Sequence, residues 1–346
     1  MFYLKYRPKK ISELDNSQVA SQLKKILEAD ELPHALLFIG QKGTGKTSSA
    51  RIFAKALNCL NNKFSQKNQE FEPCNHCQNC LAIDNGTSPD VVEMDAASNR
   101  GIDDVKKITQ ETSLLPMTGN YRIFIIDEVH MITNEGFNAL LKTLEEPPKT
   151  AIFILATTNP EKLPKTIVSR CLKINFGKAK KPDIIRMLER IAKSENLQYH
   201  SQFYSLIAEH SDNSFRDAAK ILEEVVLQKI NSLEELEKYL GIRGKNNLLA
   251  IIEEKNQQKT FAWIDEFSQN NGNFKNLIED LLNKLHLQLL IKKGIKQEDE
   301  KEINLSVKEI AKLIKLLMEA YQLQKLTPID SLPLEIALTE FYNENS

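Results

Sequence analysis

Five short apolar runs punctuate the first half of the chain: Ala35–Ile39, Val91–Met94, Tyr121–Ile126, Ala151–Leu155 and Leu172–Phe176. Most are unbroken rather than alternating, the pattern of strands buried on both faces of a parallel sheet. Stretches with helical spacing lie between them, among them Ser48–Leu57 and Phe137–Leu144, the second stopped by Pro147 and Pro148. Strand alternating with helix predicts a layered α/β domain.

Beyond Phe176 the pattern changes. Gly177–Asp183, GKAKKPD, is basic, carries glycine and proline, and reads as a linker. Helical spacing follows over Ile184–Ser194, Ser201–Glu209 and Phe215–Ile230, and no further strand is evident. A second break is Gly241–Gly244, GIRG. After it, Leu277, Leu281, Leu285 and Leu289 recur every fourth residue, and Ile310, Leu313, Ile314 and Leu317 repeat the i, i+3, i+4, i+7 pattern of one buried helix face. There is no internal repeat and no long low-complexity tract.

Composition narrows the class. The 346 residues, 41% of them hydrophobic, suffice for two or three domains with cores of their own. A formal net charge of −1 neither favours nor excludes a nucleic-acid partner, because a local basic face can sit in a balanced chain. No apolar run approaches the roughly 18 residues that cross a bilayer, so no membrane partner is expected. The start, MFYLKYRPKK, has charge but no apolar signal core. A cytoplasmic protein is expected, and five cysteines in such a chain suggest metal or reduced thiols before disulfides.

Gly40–Thr47, GQKGTGKT, matches the phosphate-binding pattern G-x-x-x-x-G-K-[ST], between a predicted strand and a predicted helix. Gly40, Gly43, Thr44, Gly45 and Ser48 belong to a loop and helix start whose backbone N–H groups can curl around phosphate oxygens, aided by the helix's partial positive charge. Lys46 is expected to reach the β- and γ-phosphates of ATP, and the Thr47 hydroxyl to ligate Mg²⁺. A second motif, IFIIDEVH (Ile123–His130), delivers two carboxylates to the end of an apolar strand, where ligands sit in open α/β sheets. Asp127 is placed to join the Mg²⁺ shell and Glu128 to orient and deprotonate the attacking water. His130 reads as a helix-start histidine with a structural hydrogen bond, although D-E-x-H also occurs in helicases.

Cys74, Cys77 and Cys80 follow one another at two-residue intervals. A structural zinc site takes four ligands. Cys59, just past the predicted helix end, is the natural fourth, with His76 as the alternative and unmetallated thiols as the competing state. Four thiolates leave no open position for water, so the expected role of this Zn²⁺ is structural. Cys171 stands apart and reads as a small buried apolar residue.

GQKGTGKTS, ARIFAKALNC, the C-x2-C-x2-C hook, DAASNRGIDD, IDEVHMI, FNALLKTLEEPP and ILATTNPEKLPKTIVSRC together resemble the gamma/tau subunit of the bacterial DNA polymerase III clamp loader, an AAA+ ATPase. The likeness runs through Tyr3–Cys171 and more faintly to about Glu224. The resemblance implies a P-loop ATPase domain with a parallel five-stranded sheet and a zinc loop over residues 1–177, a helical lid domain over 178–241 and a helical collar for oligomerisation over 242–346. It makes Thr158 the sensor of the γ-phosphate and Arg170 a finger acting on ATP in the neighbouring subunit. It makes Arg216 the lid arginine that feels nucleotide, and places Tyr6, Arg7 and Pro8 near the adenine. It implies as partners other loader subunits in a hetero-oligomeric ring, the sliding clamp and primer–template DNA gripped by its phosphates. Arg100, Lys106 and Lys107, after DAASN, are the candidate DNA contacts, with a solvated helix face as the competing reading.

The chain departs from the family where Asn213 stands for a common glycine, and at Asp15, Asn16 and Ser17, where V-G-Q is common. It stops at Ser346, near the expected end of the collar, as a gamma-like short form or a chain cut there. Two rival functions remain from the residues. A DExH helicase needs a second α/β motor lobe, for which no strands are evident. A scaffold that binds nucleotide without hydrolysing it sits poorly with Lys46, Thr47, Asp127 and Glu128 all present.

Overall fold

The computed structural model describes residues 1–65, 70–240, 245–269, 272–295 and 303–343. It divides into two compact units, Met1–Lys229 and Ile230–Ser346. The break GIRG lies outside the described residues.

The first unit opens with α1 (Phe2–Lys5) and α2 (Ser17–Glu28), then alternates strand and helix: β1 (Ala35–Gly40), α3 (Lys46–Asn58), α4 (Gln78–Asp84), β2 (Val91–Asp95), α5 (Ile102–Glu111), β3 (Arg122–Asp127), α6 (Asn134–Glu145), β4 (Ala151–Thr157), α7 (Lys165–Val168) and β5 (Leu172–Gly177). The five strands form one parallel sheet in the order β2-β3-β4-β1-β5. Three helices complete the unit, α8 (Lys181–Ser194), α9 (Ser201–Glu209) and α10 (Phe215–Leu227).

The unbroken apolar runs now have a reason. Along the central strands alternate side chains enter two different cores. Leu36, Phe38, Ile123, Ile125, Ile152 and Ile154 join Val19, Leu23, Ile52 and Phe53 on one face. Leu37, Phe124, Ile126, Phe153 and Leu155 join Val105, Phe137, Leu140 and Ile167 on the other. Every position of β4 is buried. At the edge, β5 alternates: Ile174 and Phe176 are buried, while Lys173 and Asn175 are exposed. Its outer face is not covered as the central strands are, so only one side of it is apolar.

One expected boundary is corrected. Residues 181–183 are not linker but the first turn of α8, with Pro182 in that turn. Proline's fixed φ and missing N–H suit a first helical turn, where the N–H has no intrahelical partner. A basic, proline-bearing stretch therefore concealed a helix start.

The second unit is helical throughout its described residues: α11 (Leu233–Tyr239), α12 (Lys245–Glu253), α13 (Gln257–Gln269), α14 (Phe274–Lys292), α15 (Val307–Leu323) and α16 (Leu332–Asn343). One core gathers Leu277, Leu281 and Leu285 of α14, Ile310, Leu313 and Leu317 of α15, and Leu334, Leu338 and Phe341 of α16. Leu289 and Ile314 pack against its margin. Ser306 and Glu309 close a capping box that fixes where α15 begins, satisfying two otherwise orphan N–H groups. Among the described residues, no helix is long and apolar enough to cross a membrane.

Candidate nucleotide site and cysteine cluster

Strand order brings the separated motifs together. β4 lies between β1 and β3, so the loop after β1, the end of β3 and the residue after β4 meet at one rim of the sheet. The first two border a cavity of about 500 Å³ whose wall includes Lys42–Ser49, Asp127 and Glu128 from the sheet side. Phe2–Leu4, Tyr6, Arg7, Pro8, Asp15 and Asn16 close it from the N-terminal segment, and Met187, Ile191, Phe215 and Arg216 from the helical layer.

The loop's glycines are required by its shape. Gly45 precedes α3 at φ 96°, a backbone that side chains resist. Gly43 has φ 78°, and a Cβ there would stand 1.9 Å from Ser214 Oγ. The backbone N–H of Phe215 donates to the Gly43 carbonyl at 3.1 Å. The start of α10 thus rests directly on the phosphate loop. Sequence patterning gave no sign of this contact, because it joins residues far apart in the chain.

Lys46 Nζ donates to the carbonyls of Gly40 at 2.8 Å and Gln41 at 2.9 Å. Burial pulls its ammonium below the usual lysine range, against the opposing pull of Glu128 and Asp127. An anion at this position would reverse the cost of burying that charge. Thr47 Oγ1 donates to Asp127 Oδ2 at 2.6 Å. Two hard oxygen donors so close suit a magnesium ion, which takes oxygen ligands and keeps several waters.

Glu128 adopts a left-handed backbone, φ 46° and ψ 43°, which side chains seldom take outside functional turns. Its Oε2 accepts from Thr158 Oγ1 at 3.0 Å and from the Thr158 N–H at 3.3 Å. The His130 side chain is 6% exposed, with Nδ1 at 3.0 Å from Thr157 Oγ1 and 3.4 Å from Glu128 Oε2. Thr158, Glu128 and His130 are therefore one cluster, not three separate features.

The remaining candidates are distributed unevenly. Arg216 lines the cavity. Arg170 does not: its guanidinium reaches Glu145 Oε1 at 2.6 Å and the Thr166 carbonyl at 2.7 Å. Tyr6 lines the cavity, but its hydroxyl donates to Glu195 at 2.5 Å. Arg7 Nε donates to Ser48 Oγ at 2.6 Å, beside the phosphate loop. Arg100, Lys106 and Lys107 are exposed at and beyond the start of α5, with Lys107 3.9 Å from Asp104.

Both departures from the family pattern are accommodated. Asn213 has φ 55°, a conformation glycine takes freely and asparagine tolerates better than most residues. Asn16 caps α2 by accepting from the Val19 N–H at 3.1 Å and donates to the Phe176 carbonyl at 3.1 Å. Asp15 pairs with Arg190 at 2.9 Å, across to α8.

The four cysteine sulfurs Cys59, Cys74, Cys77 and Cys80 lie within 4.8 Å of one another. Zinc–sulfur bonds of about 2.3 Å in a tetrahedron put sulfurs roughly 3.8 Å apart, so the donor set fits a closed tetrathiolate site. Cys59 is the C-cap of α3 and Cys77 the N-cap of α4, so the cluster joins two helix ends. Backbone N–H groups already point at the sulfurs: Cys74 N to Cys59 Sγ at 3.4 Å, Cys77 N to Cys74 Sγ at 3.3 Å, and Cys80 N to Cys77 Sγ at 3.5 Å. Burial pushes the Cys74 thiol up, but backbone N–H groups and hydrogen bonds with the neighbouring cysteines outweigh it and bring it down to about 6. Burial pushes Cys59 and Cys80 up. His76 is exposed, its Nδ1 2.8 Å from the Cys74 carbonyl, and is not part of the sulfur cluster. Cys171 is half-buried rather than buried, and burial raises its thiol to about 11.

The chain has relatives among known proteins. The family model described as "DNA polymerase III, delta subunit" matches residues 15–180. The DNA polymerase III subunit gamma of Buchnera aphidicola subsp. Baizongia pistaciae is 34% identical over 365 residues, covering 99% of this chain and 96% of the relative. The DNA polymerase III subunit tau of Bacillus subtilis is 37% identical over 297 residues, covering 84% of this chain, which spans only 52% of that relative's length. Among solved structures, the RuvB Holliday junction branch migration motor of Thermotoga maritima aligns over 71% of this chain and 79% of its own, at 18% identity and a TM-score of 0.48. The near full-length match to the Buchnera subunit decides the assignment: the chain belongs to the DNA polymerase III gamma/tau subunit family.

Proposed function

We propose that the chain is an ATP-hydrolysing subunit of a clamp loader, which uses ATP to place a sliding clamp on primed DNA in the cytoplasm. The observation that carries this reading is the convergence of Lys46, Thr47, Asp127, Glu128 and Thr158 at one sheet rim, in a chain of the gamma/tau family. Residues 1–177 act as the ATPase domain, 178–241 as the lid and 242–346 as the collar.

Lys46 neutralises the terminal phosphates, and Thr47 with Asp127 holds the magnesium ion, which supplies charge neutralisation at the phosphate oxygens. Glu128 orients the attacking water and takes its proton. Thr158, bound to Glu128 here, changes partner when a γ-phosphate is within reach and so links phosphate occupancy to the water-activating carboxylate. Arg216, on the helix that rests on Gly43, carries the same information to the lid. Arg170 serves the site of a neighbouring subunit. Loss of the γ-phosphate then loosens both contacts, an order–disorder switch of the kind NTPases use.

A DExH helicase would need a second α/β lobe. The described residues beyond Gly177 contain helices and no strand, which weighs against it.

Two tests arise at this stage. The first mixes the chain with partner loader subunits and the clamp and follows ATP hydrolysis with primed DNA. Stimulation by DNA is expected, and alanine at Arg100, Lys106 and Lys107 together is expected to reduce it and flatten its salt dependence. Stimulation unchanged in the triple variant removes these residues from the DNA face, and no stimulation of the wild type removes the clamp-loader reading.

The second concerns the cysteines. Metal analysis is expected to find about one zinc per chain, as a four-ligand site requires. Cys77→Ala is expected to lose the metal and lower thermal stability while ATP affinity stays within about threefold, because α4 packs against α3 and gives no residue to the cavity wall. A metal-free wild type with unchanged stability overturns the structural zinc.

A further inference from the structure

Arg7 is a cation of the cavity wall with no carboxylate of the described residues bonded to it. It is half-buried, and of its five N–H donors the Nε donates to a neutral hydroxyl, Ser48 Oγ, at 2.6 Å. No other hydrogen bond joins its side chain to a described residue. The two carboxylates that act on it electrostatically, Glu93 and Asp84, have cations of their own. Glu93 accepts from Arg51 at 2.6 Å and Asp84 pairs with Lys55 at 2.9 Å. Burial pulls the Arg7 guanidinium below its ordinary range, and Arg51 and Arg216 push it further the same way. A half-buried guanidinium with like charges around it and its counter-charges spoken for calls for an anion from outside the chain.

Position says which anion. Thr47, on the first turn of α3, turns its hydroxyl to Asp127, at the metal and γ-phosphate end. Ser48, the next residue, lies about 100° further round the helix and turns its hydroxyl to Arg7. The same cavity wall carries an apolar and aromatic set, Tyr6, Pro8, Phe176, Met187 and Ile191, suited to a base. Arg7 is bonded to the phosphate-loop helix one residue past Thr47, and its chain neighbours Tyr6 and Pro8 belong to the apolar set. Its neighbour Tyr6 donates its hydroxyl to Glu195, the C-cap of α8.

We propose that Arg7 is a phosphate ligand rather than an adenine contact: with Ser48 it grips the phosphate nearest the ribose, which ADP and ATP share. The inference rests on the nucleotide-site reading above and deepens it. Because Lys5 and Tyr6 both bond Glu195, and the Phe2 N–H donates to Glu223 of α10 at 3.1 Å, the segment that carries Arg7 also ties α8 and α10 to the phosphate loop. Engagement of Arg7 by either nucleotide therefore seats the segment itself, independently of the γ-phosphate.

The test is equilibrium binding of fluorescently labelled ADP and ATP, and of adenosine by competition, to the full chain with magnesium. The variants are Arg7→Gln, which keeps a donor for Ser48 but not the charge, and Arg7→Lys, which keeps the charge. Arg7→Gln is expected to weaken ADP and ATP alike, by about ten- to a hundredfold, with adenosine unchanged and Arg7→Lys recovering part of the loss. A loss below twofold, a loss confined to ATP, or an equal loss for adenosine each overturns the assignment; the last returns Arg7 to the base. A wild type that binds neither ADP nor ATP overturns the nucleotide-site reading itself, and with it the inference. Thermal melting of the nucleotide-free variants separates a folding defect, which would lower affinity for adenosine as well.

Discussion

Arg170→Ala is expected to lower ATP turnover of the assembled ring by about 10³- to 10⁵-fold, the range for removing a charge-stabilising arginine supplied to another subunit's phosphoryl-transfer site. Turnover of the isolated chain, however low, is expected not to change. Arg170 sits between α7 and β5, outside the wall of its own cavity, so it cannot act on nucleotide bound there. What it does within its own chain is pair with Glu145, with the arginine side chain one-third and the glutamate half exposed. An exposed pair contributes at most about 1 kcal/mol and is readily exchanged for a phosphate. Glu145→Ala is the control. It removes the same pair and keeps the guanidinium, so it is expected to retain ring turnover. If Arg170→Ala and Glu145→Ala fail equally, the arginine is structural. If Arg170→Ala slows the isolated chain and the ring by the same factor, it acts in its own site and the cross-subunit role is lost.

Parts of the site differ in how far they could be read from sequence. The phosphate loop and the Asp127–Glu128 pair were legible because their chemistry needs fixed residue types at fixed spacing next to a strand. The cysteine cluster was legible for the same reason, and the C-cap position of Cys59 explains why its first cysteine can lie fifteen residues before the next: Cys74 lies back against the helix end. Tertiary contacts were not legible. Nothing in the sequence joins Gly43 to Ser214, or Arg7 to Ser48, because these pairs are separated by long stretches of chain and are ordinary in type. Resemblance to the family placed Arg7 near the adenine, whereas its hydrogen bond lies at the phosphate-loop helix. Edge strands were also harder to read than central ones. β5 alternates where β4 does not, since alternation depends on whether both faces are covered.

Glu128→Gln is the second change with a large expected effect: hydrolysis in the ring should fall by about 10²- to 10⁴-fold, the contribution of a positioned general base, while ATP affinity stays within about threefold. The geometry makes this a sharp test. The amide is nearly isosteric, can still accept from Thr158 Oγ1 and N–H, and can keep the left-handed backbone at position 128, so the local structure has no cause to change. Lys46, Thr47 and Asp127, the proposed phosphate and metal ligands, do not depend on the charge of Glu128 for their hydrogen bonds. Only the capacity to take a proton from water is removed. A variant that binds ATP but does not hydrolyse it should hold the ring in its ATP-bound arrangement and retain the clamp. Undiminished turnover would leave His130, 3.4 Å from the same carboxylate, as the group to examine as base. A wild-type ring that binds ATP with no turnover at all would instead favour the scaffold reading, since the carboxylate would then be present without the alignment that puts a water in front of it.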